Sequence, residues 1–284
     1  MATRFELAMA GGDEPTLRAI GEEALEEITE CERRLSFFSR GSLLHKLNEQ
    51  AHACPVEVDA DTFALLELCA AVHEQSAGAF DVTIGPAMRA LFHAPTAEVP
   101  AALGMDQVQL NRGQRSVRFA DQGVAVDLGA VAKGHALDLA ADVLREHGVE
   151  RALLHGGTST VVAIGAEPFS VGIGPDDGAP RALLQDAAMS VSAHHGRQVT
   201  RGDVTLGHVL DPRVGGDLGA RTLAAVIAPT AAMADAWSTA LLVSGGQPPD
   251  GAASLVLSAT APADQQGAHP TSSFTLTPSA QRSA

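Results

Sequence analysis

Residues 126–138 read VDLGAVAKGHALD, an apolar run that ends in a carboxylate, Asp127, just ahead of a segment rich in small residues. The run GVAV (residues 123–126) follows the turn signal ADQG and predicts a strand. Beyond it Ala132, Ala136, Leu139, Ala140 and Val143 recur three or four apart, which predicts a helix from about Ala130 to His147 stopped by Gly148. RALLHGG (151–157) then predicts a second strand. Strand, helix, strand in that order favours two parallel strands joined by a right-handed crossover, with ligands gathering at the strand C-terminal end, where Asp127 sits. There Asp127 either accepts a ligand hydroxyl or ring N–H or caps the helix. Lys133 either offers a point charge to a phosphate or stands exposed. Ala130 can give a metal only its backbone carbonyl. Spacing alone leaves these alternatives open.

Outward from this stretch the chain alternates between short strands and a few helices. Phe5, Leu7 and Met9 alternate as in a strand, and Asp13 and Pro15 open a helix whose Leu17, Ile20, Ala24, Ile28, Cys31 and Leu35 form one stripe. Ser42 caps a short helical piece, and Asp61 is expected to cap a helix carrying Phe63, Leu66, Ala70 and His73. Strands are predicted at 108–110, 116–119, 169–174, 188–193, 204–210 and 222–229, with a helix from Ala231 to about Val243. SLVLSA (254–259) and SSFTLT (272–277) read as a closing strand pair around a loop near Asp264. Many antiparallel turns beside few helices predict an α+β fold: mixed, largely antiparallel sheets packed with helices and one β-α-β unit. The expected organisation is a single domain over 1–284 with a flexible loop near 259–270 and a disordered C-terminus.

The composition narrows the function. An apolar share of 45% supports a real core, and a formal net charge of −15 argues against nucleic acid or an anionic membrane as partner, since either needs clustered positive charge. An anionic ligand would need a metal or backbone N–H groups to offset that field. Cys31, Cys54 and Cys69 are odd in number and lack metal-ligand spacing, so reduced thiols are expected. No run is long and apolar enough to span a bilayer, and the N-terminal segment does not read as a signal peptide. The sequence as it stands is expected to be cytoplasmic, or exported if a leader has been trimmed.

Two further groups could carry chemistry. Asp235, Ser238 and Thr239 stand at i, i+3 and i+4, putting a carboxylate and two hydroxyls on one helical face. Such hard oxygens suit Mg²⁺, although spacing alone favours an ordinary capped helix N-terminus with Ser238 and Thr239 solvated. His208, in an apolar alternation before Asp211-Pro212, is either a hydrogen-bonded structural residue or a base with the right pKa range for a hydroxyl proton, with His194 and His195 as rivals.

Taken together and in order, these stretches resemble the ApbE family of FAD:protein FMN transferases. MATRFELAMAG (1–11) resembles the family's first strand and FFSRGSLLHKLNEQA (37–51) the helix after it; SAGAFDVTIGP (76–86) resembles its flavin-contact loop. VDLGAVAKGHALD resembles its most characteristic segment and ADAWSTAL (234–241) its metal helix, over most of residues 1–245. The resemblance implies an ApbE-like fold in which Ala79, Phe80, Asp81, Asp127 and Val209 contact FAD, Met1 lies near the flavin and Lys133 near the phosphates. It implies Mg²⁺ held by Asp235, Thr239 and backbone oxygens of Ala130 and Ser238, with His208 acting in the transfer. The implied reaction is attack by a Thr or Ser hydroxyl of an acceptor flavoprotein subunit on the FMN-side phosphorus of FAD, releasing AMP. An FAD carrier without transfer activity and an FAD pyrophosphatase giving FMN and AMP are the alternatives. The chain departs from the family pattern at AHHG (193–196), at Val214 and in HGGTST (155–160), which lacks an acidic or amide residue after its glycines.

Overall fold

The computed structural model describes residues 3–85, 104–174, 179–193, 198–201, 204–207, 209–213 and 221–258. In chain order it runs β1 (Phe5–Ala10), α1 (Glu14–Leu35), α2 (Leu43–Gln50), β2 (Val56–Glu57), α3 (Ala60–Gln75), β3 (Val108–Asn111) and β4 (Ser116–Phe119). There follow α4 (Ala132–Glu146), β5 (Arg151–Gly156), β6 (Thr160–Ile164), β7 (Phe169–Gly172), β8 (Arg181–Leu184) and β9 (Ala187–Ala193). The last elements are β10 (Gln198–Arg201), β11 (Val204–Gly207), β12 (Arg221–Ala228), α5 (Ala231–Ser244) and β13 (Ala253–Ser258).

Alternation along the strands builds two layers of core. The main sheet has the order β1-β5-β6-β9-β12-β13. On one face Leu154, Val162, Ala188, Ala224 and Val226 join the large core beneath α1, α3, α4 and α5. On the other, Val161, Ala163, Met189, Ala225 and Ile227 meet Val171, Ile173, Ala182 and Leu184 of the β7–β8 hairpin. Successive residues thus point to opposite faces, as a pleated strand requires, and β6, covered on both, is buried throughout. α4 is the central helix: Ala132, Gly134, Ala136, Leu137, Ala140, Ala141 and Leu144 are all buried. Truncating a Leu in such a core typically costs about 2–5 kcal/mol.

The α+β class and the largely antiparallel sheets are as expected, but the β-α-β unit takes another form. Every strand pair among the described residues is antiparallel, and β5 is flanked by β1 and β6. No position beside it remains for a parallel partner. Residues 124–128 run extended outside any ladder among the described residues. Instead the Asn48 side chain of α2 donates Nδ2–H to the Val126 carbonyl (2.9 Å) and accepts the Val126 N–H (2.8 Å), standing in for a neighbouring strand. A second correction concerns α3, whose cap is Asp59 rather than Asp61: the Thr62 N–H donates to Asp59 Oδ1 at 2.9 Å. Residues 272–277 and the loop near Asp264 lie outside the described residues.

Candidate active site

A cavity of about 550 Å³ opens beside the N-terminal ends of α4 and α5, and segments far apart in sequence line it. Ala79, Phe80 and Asp81 come from the turn after α3, Asp127, Gly129 and Ala130 from the extended segment before α4, and Lys133 from the first turn of α4. Thr158 and Ser159 come from the β5–β6 turn, Ser190 and Ser192 from β9, Val209 and Leu210 from the segment after β11, and Asp235 and Thr239 from α5.

Asp127 does not cap α4. Its Oδ1 accepts the Gly129 N–H at 2.9 Å and its backbone N–H donates to the Val82 carbonyl at 2.7 Å. The second bond ties the extended segment to the 79–85 turn. Within that turn Asp81 Oδ1 accepts both the N–H and the hydroxyl of Thr83 (2.7 and 2.6 Å), and His73 Nδ1 lies 3.4 Å from Asp81 Oδ2. Gly85 permits the close approach: a Cβ there would lie 2.5 Å from Cβ of Asp127. The two carboxylates, Asp81 and Asp127, therefore stand on one braced wall.

The opposite wall is the junction of α4 and α5. Asp235, 3% exposed, is engaged on both oxygens: Oδ2 accepts the Gly134 N–H at 2.7 Å and Oδ1 the Thr160 hydroxyl at 2.6 Å. Lys133 Nζ lies 3.1 Å from each oxygen and also bonds the Thr160 hydroxyl. Gly134 has no alternative here, because a side chain would collide with the Ala231 backbone. Thr239 donates to the Asp235 carbonyl at 3.1 Å and so keeps its hydroxyl lone pairs for other partners, with Ser192 at 3.3 Å. Ser238 is fully buried, and its hydroxyl bonds Ser192 at 2.8 Å. Asp138, one turn along α4 from Gly134, accepts the Ala231 and Ala232 N–H groups at 2.7 and 2.8 Å, while burial pushes its carboxyl up to about 7.

The cavity thus brings together Ala79, Phe80, Asp81, Asp127, Ala130, Lys133, Val209, Asp235 and Thr239, whereas the Ser238 side chain turns inward to β9. Met1, His208, His194, His195 and Val214 lie outside the described residues. The first described residues, Thr3 and Arg4, reach Gly157 beside the cavity-lining turn, where the Arg4 carbonyl accepts the Gly157 N–H at 2.8 Å. Sequence reasoning missed Thr160, Ser190, Ser192, Asp138 and Gly85. Only Gly85 carries a local signal, a glycine before Pro86 that ends a short turn; the others acquire meaning through partners far along the chain.

The profile of the ApbE family matches residues 1–258. The chain belongs to the ApbE family. Among relatives of this ApbE-family chain, the FAD:protein FMN transferase of Klebsiella pneumoniae is 26% identical over 86% of this chain and 77% of its own length. That of Treponema pallidum is 30% identical over 79% and 71%. The ApbE protein of Thermotoga maritima superposes with a TM-score of 0.75 at 27% identity, covering 89% of this chain and 90% of its own. The ApbE flavinyl transferase of Pseudomonas stutzeri, at 21% identity and a TM-score of 0.71, shares the fold.

Proposed function

We propose that this chain is a flavin transferase: it moves FMN from FAD to a Thr or Ser hydroxyl of an acceptor flavoprotein, with Mg²⁺ bound, and releases AMP. The observation that carries the reading is that one cavity is lined by Asp81 and Asp127 together with the Lys133–Asp235–Thr239 cluster, in a chain whose relatives bear that activity in their names.

The donor chemistry fits the ion. Among the described residues no group of three or more His, Cys, Asp or Glu is placed to hold a metal. A sparse set of oxygens is what Mg²⁺ takes when waters and substrate phosphates complete its shell. Asp235 and Thr239 would contribute a carboxylate and a hydroxyl. The Ala130 carbonyl would contribute a third oxygen, since the Gly134 N–H that a continuing helix would direct to it goes to Asp235 instead. Of Ser238 only the backbone oxygen would be available. When bound, the ion would neutralise charge on the pyrophosphate and stabilise the departing phosphate.

The chain's own groups divide the remaining work. Asp81 and Asp127, both acceptors, would take N–H or hydroxyl groups of the flavin moiety, with Phe80 and Val209 supplying apolar walls. Lys133 would meet the phosphates while holding Asp235 in place. The acceptor hydroxyl oxygen forms a bond to the FMN-side phosphorus, the bond to the bridging oxygen breaks, and AMP leaves with that oxygen. His208 is assigned to take the hydroxyl proton. Replacing His208 by Ala is expected to leave FAD binding nearly intact and to slow transfer.

The test is intact-mass spectrometry of an acceptor peptide incubated with this chain, FAD and Mg²⁺, with and without chelator. The reading requires a chelator-sensitive gain of one FMN. Free FMN and AMP without a modified acceptor would make the chain a pyrophosphatase, and bound FAD with no product a carrier.

A further inference from the structure

The N-terminus of α5 is held twice. Its own cap, Thr230, accepts the Met233 N–H at 3.3 Å, which would suffice for an ordinary helix start. Yet Asp138, on a different helix and 93 residues away, takes the two N–H groups that precede it, Ala231 at 2.7 Å and Ala232 at 2.8 Å, one on each carboxylate oxygen. These are among the first four N–H groups of a helix, which have no acceptor within it. One turn back on α4, Gly134 donates to Asp235, one turn on along α5. The two helices are therefore joined by two rungs at matching four-residue spacing, 138 to 231 and 134 to 235, and both are polar. Apolar packing alone tolerates a helix sliding or turning by a fraction of an ångström. Two spaced directional rungs do not, because a bidentate grip fixes rotation as well as height. Gly134 lets the helices approach closely enough for both to form. Asp138 does not line the cavity.

We infer that Asp138 is a positioning residue: by clamping the first turn of α5 to α4 it sets the Asp235 carboxylate and the Thr239 hydroxyl at the height where they can share a divalent cation with Ala130. The inference rests on the metal reading above. It assigns to a residue outside the cavity the job of registering one half of the site, on α5, against the other half, on α4. Asp127, Lys133 and Ala130 lie on or before α4, so loss of the clamp leaves them where they are.

Asp138→Asn replaces one acceptor oxygen by a donor and so opposes one of the two N–H groups. The probe is Mn²⁺, titrated into the full chain with FAD present and followed by electron paramagnetic resonance. Asp142→Asn, exposed one turn further along α4, is the control. The expected result is Mn²⁺ affinity at least tenfold weaker in Asp138→Asn and unchanged in the control, with kcat for FMN transfer reduced at ordinary Mg²⁺ and partly restored by excess. KM for FAD is expected to stay within about twofold. Wild-type Mn²⁺ affinity in a folded Asp138→Asn chain, whatever its melting temperature, overturns the proposal and reduces Asp138 to a stability element. If that variant does not fold, Asp138→Ser, which keeps one acceptor in a smaller volume, is judged by the same affinity. A wild-type chain that binds no Mn²⁺ refutes the metal reading itself and this inference with it. A wild-type chain that binds Mn²⁺ as tightly as the Asp138 variants refutes the inference alone.

Discussion

The two walls of the cavity are built differently. The α4–α5 wall is fastened by bonds between residues 93 to 102 positions apart, through Asp138, Gly134, Lys133 and the buried Asp235. The facing wall mixes local bonds, Asp81 to Thr83 and Asp211 to Arg213 at 2.7 Å beside it, with longer ones that run to the backbone, the Asp127 N–H to the Val82 carbonyl and Asn48 to Val126. A buried carboxylate bonded on both oxygens cannot shift without leaving charged and polar groups unpaired, whereas a wall held mainly through backbone and amide bonds loses less when it adjusts. The first suits ligands whose geometry must be exact in charge and distance. The second, with the Asp81 and Asp127 carboxylates, suits a ring that offers N–H or hydroxyl groups.

Substitutions should separate the walls, beginning with the largest effect. Gly134→Ala places a methyl against backbone atoms of Ala231 and Ala232 that no rotamer change can move. A stability loss of about 3 kcal/mol or more, or failure to fold, is expected in urea unfolding. Gly85→Ala on the facing wall meets the Cβ of Asp127 at 2.5 Å, which no side-chain rotation moves, so the two segments must part slightly. It should cost about 1–3 kcal/mol in stability and weaken FAD binding roughly tenfold, read by flavin fluorescence. If Gly85→Ala instead unfolds the chain, the contrast between walls is wrong.

Asp138 supplies a pH signature for the first wall. Burial, ahead of the opposing backbone N–H groups, raises its carboxyl to about 7, with Asp142 and Asp235 adding in the same direction. The native chain therefore binds this proton more tightly than the unfolded chain. The associated stability is fully present below the unfolded pKa, about 3.8, and is lost as pH rises through about 7. Between those limits the slope is up to about 1.4 kcal/mol per pH unit, and the difference between wild type and Asp138→Asn in urea melts at pH 5 and 8, on either side of the upper limit, should reveal it. The smallest effect is expected for Arg213→Ala, which removes a half-exposed pair with Asp211. About 0.5–1 kcal/mol should be lost, with folding otherwise intact.

What was legible in the sequence follows the range of the interactions. The stripe of α1 rests on local periodicity, and the span of α5, buried on nearly every side, on the small and apolar residues between Thr230 and Gly245; both are readable to within a residue or two. Asp127 and Lys133 stand out at the junction of an apolar run and a helix start, and Asp235 and Thr239 by their i, i+4 spacing on one helical face. The crossover beside β5 misled because an extended apolar run looks like a strand whether its partner is a backbone or the side chain of Asn48, 78 residues away. Asp138 looked like one more polar residue on a helix, and Thr160 like one more strand hydroxyl. Only the packing of α4 against α5 and β6 gives them partners.

The central claim is that Asp235 is the point where the two helices and the transferred phosphate meet, and the mass assay on Asp235→Ala tests it most directly. With FAD and Mg²⁺ present, the wild-type chain should add one FMN to the acceptor, while a folded Asp235→Ala chain should bind FAD and add none. FMN transfer at the wild-type rate by Asp235→Ala would contradict the account.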